Sequence, residues 1–186
     1  MTSSTTPSLG RLTTVPALDR PDLLAAPVAA ALAAFSQAHL VGVVEIDPAL
    51  ADTAAMAAAY DLGLDTGANC VVVAGRRDGA ERVAACLARA DTRVDVNDRV
   101  KRLLDVRKCS FLAMERAVEE SDMEHGGITP VGLPAAWRLL VDVRVPEMAV
   151  AVIGSGVRRS KLLVPGELVP LLPGAEVIEG LARTVD

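Results

Sequence analysis

Two stretches of this sequence hold the residues best suited to act on a ligand, and in both the backbone is the reactive surface. "HGGITPVGLP", His125 to Pro134, sets Gly126, Gly127 and Gly132 among Pro130 and Pro134. Glycine tolerates positive φ and lets another chain or a ligand come close to the main chain. Proline fixes its own φ and holds the residue before it extended. A loop built this way presents N–H and C=O groups in a fixed array at small entropic cost on binding. The second stretch, "IGSGVRRS", ends an apolar run in Gly154, Ser155 and Gly156, with Arg158 and Arg159 close behind. Arginines beside exposed amides suit a phosphate or a carboxylate. Residue types alone leave a plainer reading open for each: a tight helix-to-strand connection for the first, a solvated hairpin turn for the second.

The familiar side-chain patterns are absent. There is no G-x-S-x-G, H-E-x-x-H or G-x-x-x-x-G-K-[ST] in the chain, and "GSGVRR" lacks the third glycine of a dinucleotide loop. Cys70, Cys86 and Cys109 are odd in number and widely spaced, and His39 and His125 are the only histidines. That leaves little to build a zinc site from, so the cysteines read as small core residues in a reducing compartment, with neither metal nor cofactor expected. The net charge is −5 and the basic residues are scattered. Duplex nucleic acid is bound mainly by Lys and Arg neutralising phosphates, so bare duplex DNA is a poor fit. A nucleic-acid end held by a few groups is compatible with this charge.

Half of the chain is hydrophobic (51%), yet it holds one Trp, one Tyr and two Phe, so its core must be aliphatic. The opening "MTSSTTPSLGRLTTVP" lacks the basic and apolar regions of a signal peptide, and residues 1–20 are expected to form a mobile tail. The apolar run from Leu23 to Phe35 is too short to span a bilayer and contains Pro27. A soluble, cytoplasmic chain with one domain over residues 21–186 follows as the expectation.

The elements that must position the two loops are readable in outline. "LVGVVEI" and "NCVVVAG" predict strands, the second continuous enough to be buried on both sides. Between them "DPALADTAAMAAAYDLG" predicts a helix with Asp52 or Thr53 as N-cap and Gly63 as its stop. Asp78-Gly79 predicts a tight turn, and "ERVAACLARA" after it is read as the returning strand although its alanines favour helix. "DVNDRVKRLLD" and "MERAVEESD" predict helices flanking a short strand at "KCSFLA". "RLLVDV", "AVAVIGSG" and "SKLLV" predict strands, and Pro165 starts a helical turn at "PGELVPLL". Several connections are too short for parallel crossovers, so the fold class is mixed α/β: a curved mixed sheet flanked by helices.

The order of these features resembles the YbaK/EbsC family, related to the editing domain inserted in bacterial prolyl-tRNA synthetases. The pieces that carry the resemblance are "DPALADTAAM", "ANCVVV", "GGITPVGLP", "LLVDV" and "VIGSGVRRSKLLVPGEL", over roughly residues 38–182. It implies a free-standing deacylase that hydrolyses the ester between a wrong amino acid and the tRNA 3′ adenosine. The implied partner is the aminoacyl-tRNA 3′ end, with an aminoacyl-tRNA synthetase as a second candidate. Carried onto this sequence, the resemblance makes Gly126, Gly127, Thr129, Pro130 and Gly132 one wall of an aminoacyl pocket. Asp142 would lie on the adjoining strand, and Gly154, Ser155 and Gly156 would approach the ester or the ribose, with Arg158 beside them. Many family members have a lysine at the start of the strand "ANCVVV", where this chain has Asn69. Asparagine offers two donors and one acceptor but no charge. Asn69 and Asp142 are therefore the candidate catalytic side chains, with Lys108 or Arg158 as candidates for the missing cation. The alternative implied by Asn69 is a binding module that has lost catalysis and holds a tRNA 3′ end, a nucleotide or a small carboxylate.

Overall fold

Short β-branched and alanine-rich runs separated by turn residues fold into strands β1 (Val15–Pro16), β2 (Gly42–Glu45), β3 (Ala68–Arg77), β4 (Ala80–Arg89), β5 (Thr92–Val94), β6 (Cys109–Phe111), β7 (Arg138–Asp142), β8 (Ala151–Gly154), β9 (Ser160–Val164), β10 (Ala175–Ile178) and β11 (Ala182–Thr184). The α-helices are α1 (Ala26–Ala34), α2 (Thr53–Tyr60), α3 (Lys101–Leu103) and α4 (Met114–Ser121). The structure is a computed structural model, and it describes residues 6–185. Among them no helix is long and apolar enough to cross a membrane.

The mixed α/β fold forms as expected, with its strands divided among three hydrogen-bonded sheets. One has the order β1-β2-β9-β8, a second β10-β7-β4-β3-β6, and β11 pairs with β5 in a third. Strand β7 runs parallel to both β4 and β10, and the other pairings are antiparallel. The two larger sheets share one aliphatic core, in which Val43, Ile153 and Leu162 of the first meet Leu87, Leu139 and Val141 of the second. The opposite face of the five-stranded sheet is covered too, by Val96, Val100, Leu104 and Leu181 over Val73, Cys86 and Leu140. Burial on both faces is why "VAACLA" reads as a continuous apolar run. It also decides the alanine-rich segment for strand, because packing between two layers outweighs the helix propensity of alanine.

Local chemistry fixes the element ends. Asp52 caps α2 by accepting from the N–H groups of Ala54 and Ala55. The helix stops at Asp61, in the left-handed region at φ 58°, two residues before the expected Gly63. The hairpin of β3 and β4 turns through Asp78 and Gly79, both at positive φ as a two-residue loop requires. Pro27 lies in the first turn of α1, where its missing N–H costs nothing. The expected tail of residues 1–20 is drawn too long. Leu12 and Ala17 are buried and β1 pairs with β2, so the chain is packed well before residue 21. Residues 1–5 of that tail lie outside the described residues.

The two large sheets touch at one junction. A single parallel bridge joins Gly67, just before β3, to Val152 of β8. It brings the start of β3, the end of β8 and the N-terminus of α2 to one place.

Candidate functional site

At that junction the chain encloses a cleft of about 380 Å³, lined among others by Asp52, Thr53, Asn69, His125, Gly126, Gly154 and Lys161. Its floor is aliphatic, from Met56, Ala57, Ile128, Val152 and Ile153. An apolar hollow with a few converging polar groups is what a small-ligand site needs.

Asn69 reaches the cleft because it is the second residue of β3, just past the bridge at Gly67. Its Oδ1 accepts a hydrogen bond of 2.7 Å from Thr53 Oγ1, at the first turn of α2. That bond orients the amide and leaves the two Nδ2 donors for a ligand.

The glycine loop enters through a turn. Gly127 N donates to Glu124 O at 2.9 Å, and Gly126 takes φ 80°, the value that the third residue of a type II turn demands. Arg158 braces the turn from behind. Its backbone N donates to Glu124 Oε2, and its guanidinium donates to His125 O at 3.2 Å and to Pro48 O at 3.3 Å. In a trans peptide the C=O and N–H point opposite ways. With His125 O turned to Arg158, the Gly126 N–H faces away from the guanidinium. Arg158 is thus a positioning residue and does not line the cleft.

The amides of Gly127 and Gly156 are already spent. Gly156 N donates to Gly127 O at 2.8 Å, and Gly127 N is used by the turn. This cross-link between the two loops holds them in register, and Gly154 is what allows it. A Cβ there would lie 2.3 Å from Gly127 O and 2.7 Å from Ile128 O. Of Gly126, Gly127 and Gly156, only Gly126 keeps an N–H that makes no hydrogen bond with a described residue.

Several sequence-derived site residues lie elsewhere. Pro130 and Gly132 face away and line a second cavity with Phe35 and Leu172, because Gly132 packs against Pro27 O at the start of α1. Thr129 is fully buried and its hydroxyl has no partner among the described residues. Ser155 is buried in a hydroxyl pair with Ser160 Oγ at 2.7 Å, and Gly156 presses on Ala25. Asp142 is fully buried, outside the cleft lining, with Oδ1 accepting from Arg144 N and Oδ2 from Ala182 N at 2.9 Å. Both oxygens pin backbone, so this carboxylate ties the start of β11 to the end of β7. Asp142→Asn is expected to lose roughly 1–3 kcal/mol of stability, since an amide NH₂ cannot accept from both N–H groups. Thermal melts read that loss. A fall in turnover at unchanged stability would return Asp142 to the catalytic list.

Lys161 is the group that sequence reading passed over. It is the second residue of β9, 8% exposed, and its Nζ donates to Ala51 O at 2.9 Å inside the cleft lining. Burial, reinforced by the positive charge of Arg158, pulls its pKa below the ordinary lysine value, and Asp52 opposes the shift. The only signal in the sequence is a charged residue inside the buried run "SKLLV", which is rare without a paired or functional reason. Lys108, one of the two candidate replacement cations, is exposed at the approach to β6.

Cys70 also lines the cleft, and burial pushes its thiol up to about 12. A thiol held protonated is a poor nucleophile. Cys70→Ser is expected to keep activity within about threefold, checked by initial deacylation rates. Among the described residues no group of three His, Cys, Asp or Glu could hold a metal.

A family model described as aminoacyl-tRNA editing domain matches residues 47–170, which span every cleft-lining group named above. The chain belongs to the aminoacyl-tRNA editing domain family. The fold of this editing domain is similar to that of a proposed trans-editing enzyme for prolyl tRNA synthetase, at TM-score 0.71 and 21% identity, covering 83% of this chain and 94% of that one. It is also similar to the hypothetical protein APE2540, at TM-score 0.66 and 20% identity over 76% of this chain and 90% of the other. A scaffold used for computational epitope grafting aligns at TM-score 0.71 and 19% identity, over 87% of this chain and 97% of that one. No curated protein matches the editing domain's sequence.

Proposed function

We propose that this editing domain hydrolyses, in trans, the ester joining a wrongly attached small amino acid to the 3′ adenosine of tRNA. The observation that carries this reading is a buried lysine sharing one cleft with Asn69, Gly126 and Gly154. The aliphatic floor receives the side chain, and its Met56, Ile128 and Ile153 set an upper limit on size. The ester carbonyl lies towards the Gly126 N–H and Lys161 Nζ. An ammonium has three donors, and Ala51 O takes one, so two remain for charge that develops on the carbonyl oxygen. Asn69 Nδ2 holds the ribose or the attacking water. Water adds to the acyl carbon, the ester C–O bond breaks, and the proton passes to the departing ribose oxygen through the vicinal hydroxyl.

Lys161 supplies from β9 the cation that the resemblance places on β3. Relocation of the charge answers the main argument for a mere binding module, which rests on Asn69. Both readings are tested by incubating glycyl-, alanyl-, seryl- and prolyl-tRNA with the protein and following ester loss. The deacylase reading expects loss well above buffer for at least one of them, and a fall of roughly ten- to a thousandfold for Asn69→Ala. Tight retention of charged tRNA without ester loss, before and after that substitution, would establish the binding module instead.

A further inference from the structure

Asn69 lines two hollows. Besides the catalytic cleft it borders a groove of about 330 Å³, formed with Val71, Arg89, Thr92, Arg93, Phe111 and Val185. Alternation along β3 places Asn69, Val71 and Val73 on one face of the sheet, and the pairing of Val73 with Phe111 puts the phenyl ring on that same face. The groove therefore runs from the doorway at Asn69 along the sheet to β6. Phe111 is 65% exposed and Val185 61%, the two most exposed large hydrophobic side chains among the described residues. Their meeting in one groove gives a ligand an open apolar surface to pack on. The chain has only four aromatic residues, one Trp, one Tyr and two Phe, and one of them stands open at this place. Charge points the same way. Arg89 is paired with Asp91, whereas the side chain of exposed Arg93 makes no ion pair or hydrogen bond with any described residue. The groove thus carries one uncompensated positive charge beside an open aromatic face.

We infer that this groove is a nucleotide subsite, which takes the single-stranded residues immediately preceding the acylated adenosine. A base stacks on Phe111, a phosphate pairs with Arg93, and Asn69 stands at the join between acyl cleft and strand path. Stacking platforms flanked by cations are how single strands are held without base-specific hydrogen bonds. The inference rests on the proposed deacylase reading, because it assumes that the cleft holds the acylated ribose.

The test uses non-hydrolysable 3′-aminoacylamido-adenosines bearing glycine, alanine, serine or proline, each as the mononucleoside and as the CCA trinucleotide. Titration of the intact protein is expected to show the trinucleotide binding at least about tenfold more tightly than the mononucleoside. Phe111→Ala and Arg93→Ala should each remove most of that advantage without changing mononucleoside affinity, and Phe111→Trp should restore it. Arg93→Ala should also flatten the salt dependence of trinucleotide binding, by about one counterion's worth. Equal affinity for the two probes in the parent protein would overturn the subsite and leave the deacylase reading standing. Failure of every probe to bind would overturn both. A protein partner on this groove would show as loss of complex formation in Phe111→Ala with the trinucleotide advantage intact, and would likewise overturn the subsite.

Discussion

Lys161→Met is expected to lower deacylation by about 10²–10³-fold while leaving the protein at least as stable as the parent. The kinetic loss is the usual scale for removing one donor from a site of developing negative charge. The stability result separates this lysine from a structural one. Lys161 is 8% exposed and hydrogen-bonded to a single backbone carbonyl, so the fold bears the cost of desolvating its ammonium with little return. Methionine fills a similar volume without that cost. The pH dependence follows from the sign of the shift. The folded pKa is lowered, so between the folded value and the free-lysine value the unfolded chain binds more protons. Parent stability therefore rises with pH across that window, and below it the penalty is fully present. In Lys161→Met this rise is absent. Urea midpoints over an alkaline pH series measure it, and a destabilised Lys161→Met would make the lysine a packing element.

The second large effect is expected at Gly154. A Cβ at this position would meet Gly127 O at 2.3 Å and Ile128 O at 2.7 Å, and both are backbone atoms fixed by the turn and by the Gly156–Gly127 bond. Gly154→Ala must push the 124–128 turn away from β8. Displacement of catalytic geometry by about 1 Å costs on the order of 10²-fold in rate, and overpacking adds roughly 1–3 kcal/mol of destabilisation. Gly79→Ala in the β3–β4 hairpin is the matched control. Nothing lies within 4 Å of its added methyl, yet Gly79 sits at φ 82°. Alanine there costs stability through backbone strain and leaves the cleft untouched. Rates and melts of the two variants together should show both destabilised and only Gly154→Ala slow. Equal activity in the pair would mean that the loop contact is architectural alone.

Strands β2 to β4 and β6 to β9 could be read from the sequence because each rests on local chemistry, β-branched runs and the Asp78-Gly79 hairpin, as does the Asp52 cap. The short β1, β5, β10 and β11 are set by pairing with distant strands and could not be read this way. The division into separate sheets could not, since the bridge from Gly67 to Val152 joins segments 85 residues apart. The same limit governs the site. Asn69, Gly126 and Gly154 carried enough pattern to be picked out, and they meet in one cleft. Asp142 was misplaced because an aspartate ending an apolar strand suits a catalytic role and a backbone clamp equally well, and the deciding partner, Ala182 N, is 40 residues away. The second half of "GGITPVGLP" turns out of the site only because Gly132 meets Pro27 O. Lys161 was hidden by its own surroundings, one charge inside a strand whose five residues are all buried.

The account stands on where the acyl group lies. A crystal structure of the protein with a 3′-alanylamido-adenosine trinucleotide would show this directly. The account predicts the amide carbonyl oxygen within hydrogen-bond distance of Lys161 Nζ and the Gly126 N–H, with the alanyl methyl on Ile128 and Ile153. Density for the aminoacyl group in the cavity beside Pro130 and Gly132, with Lys161 contacting only Ala51 O, would contradict it.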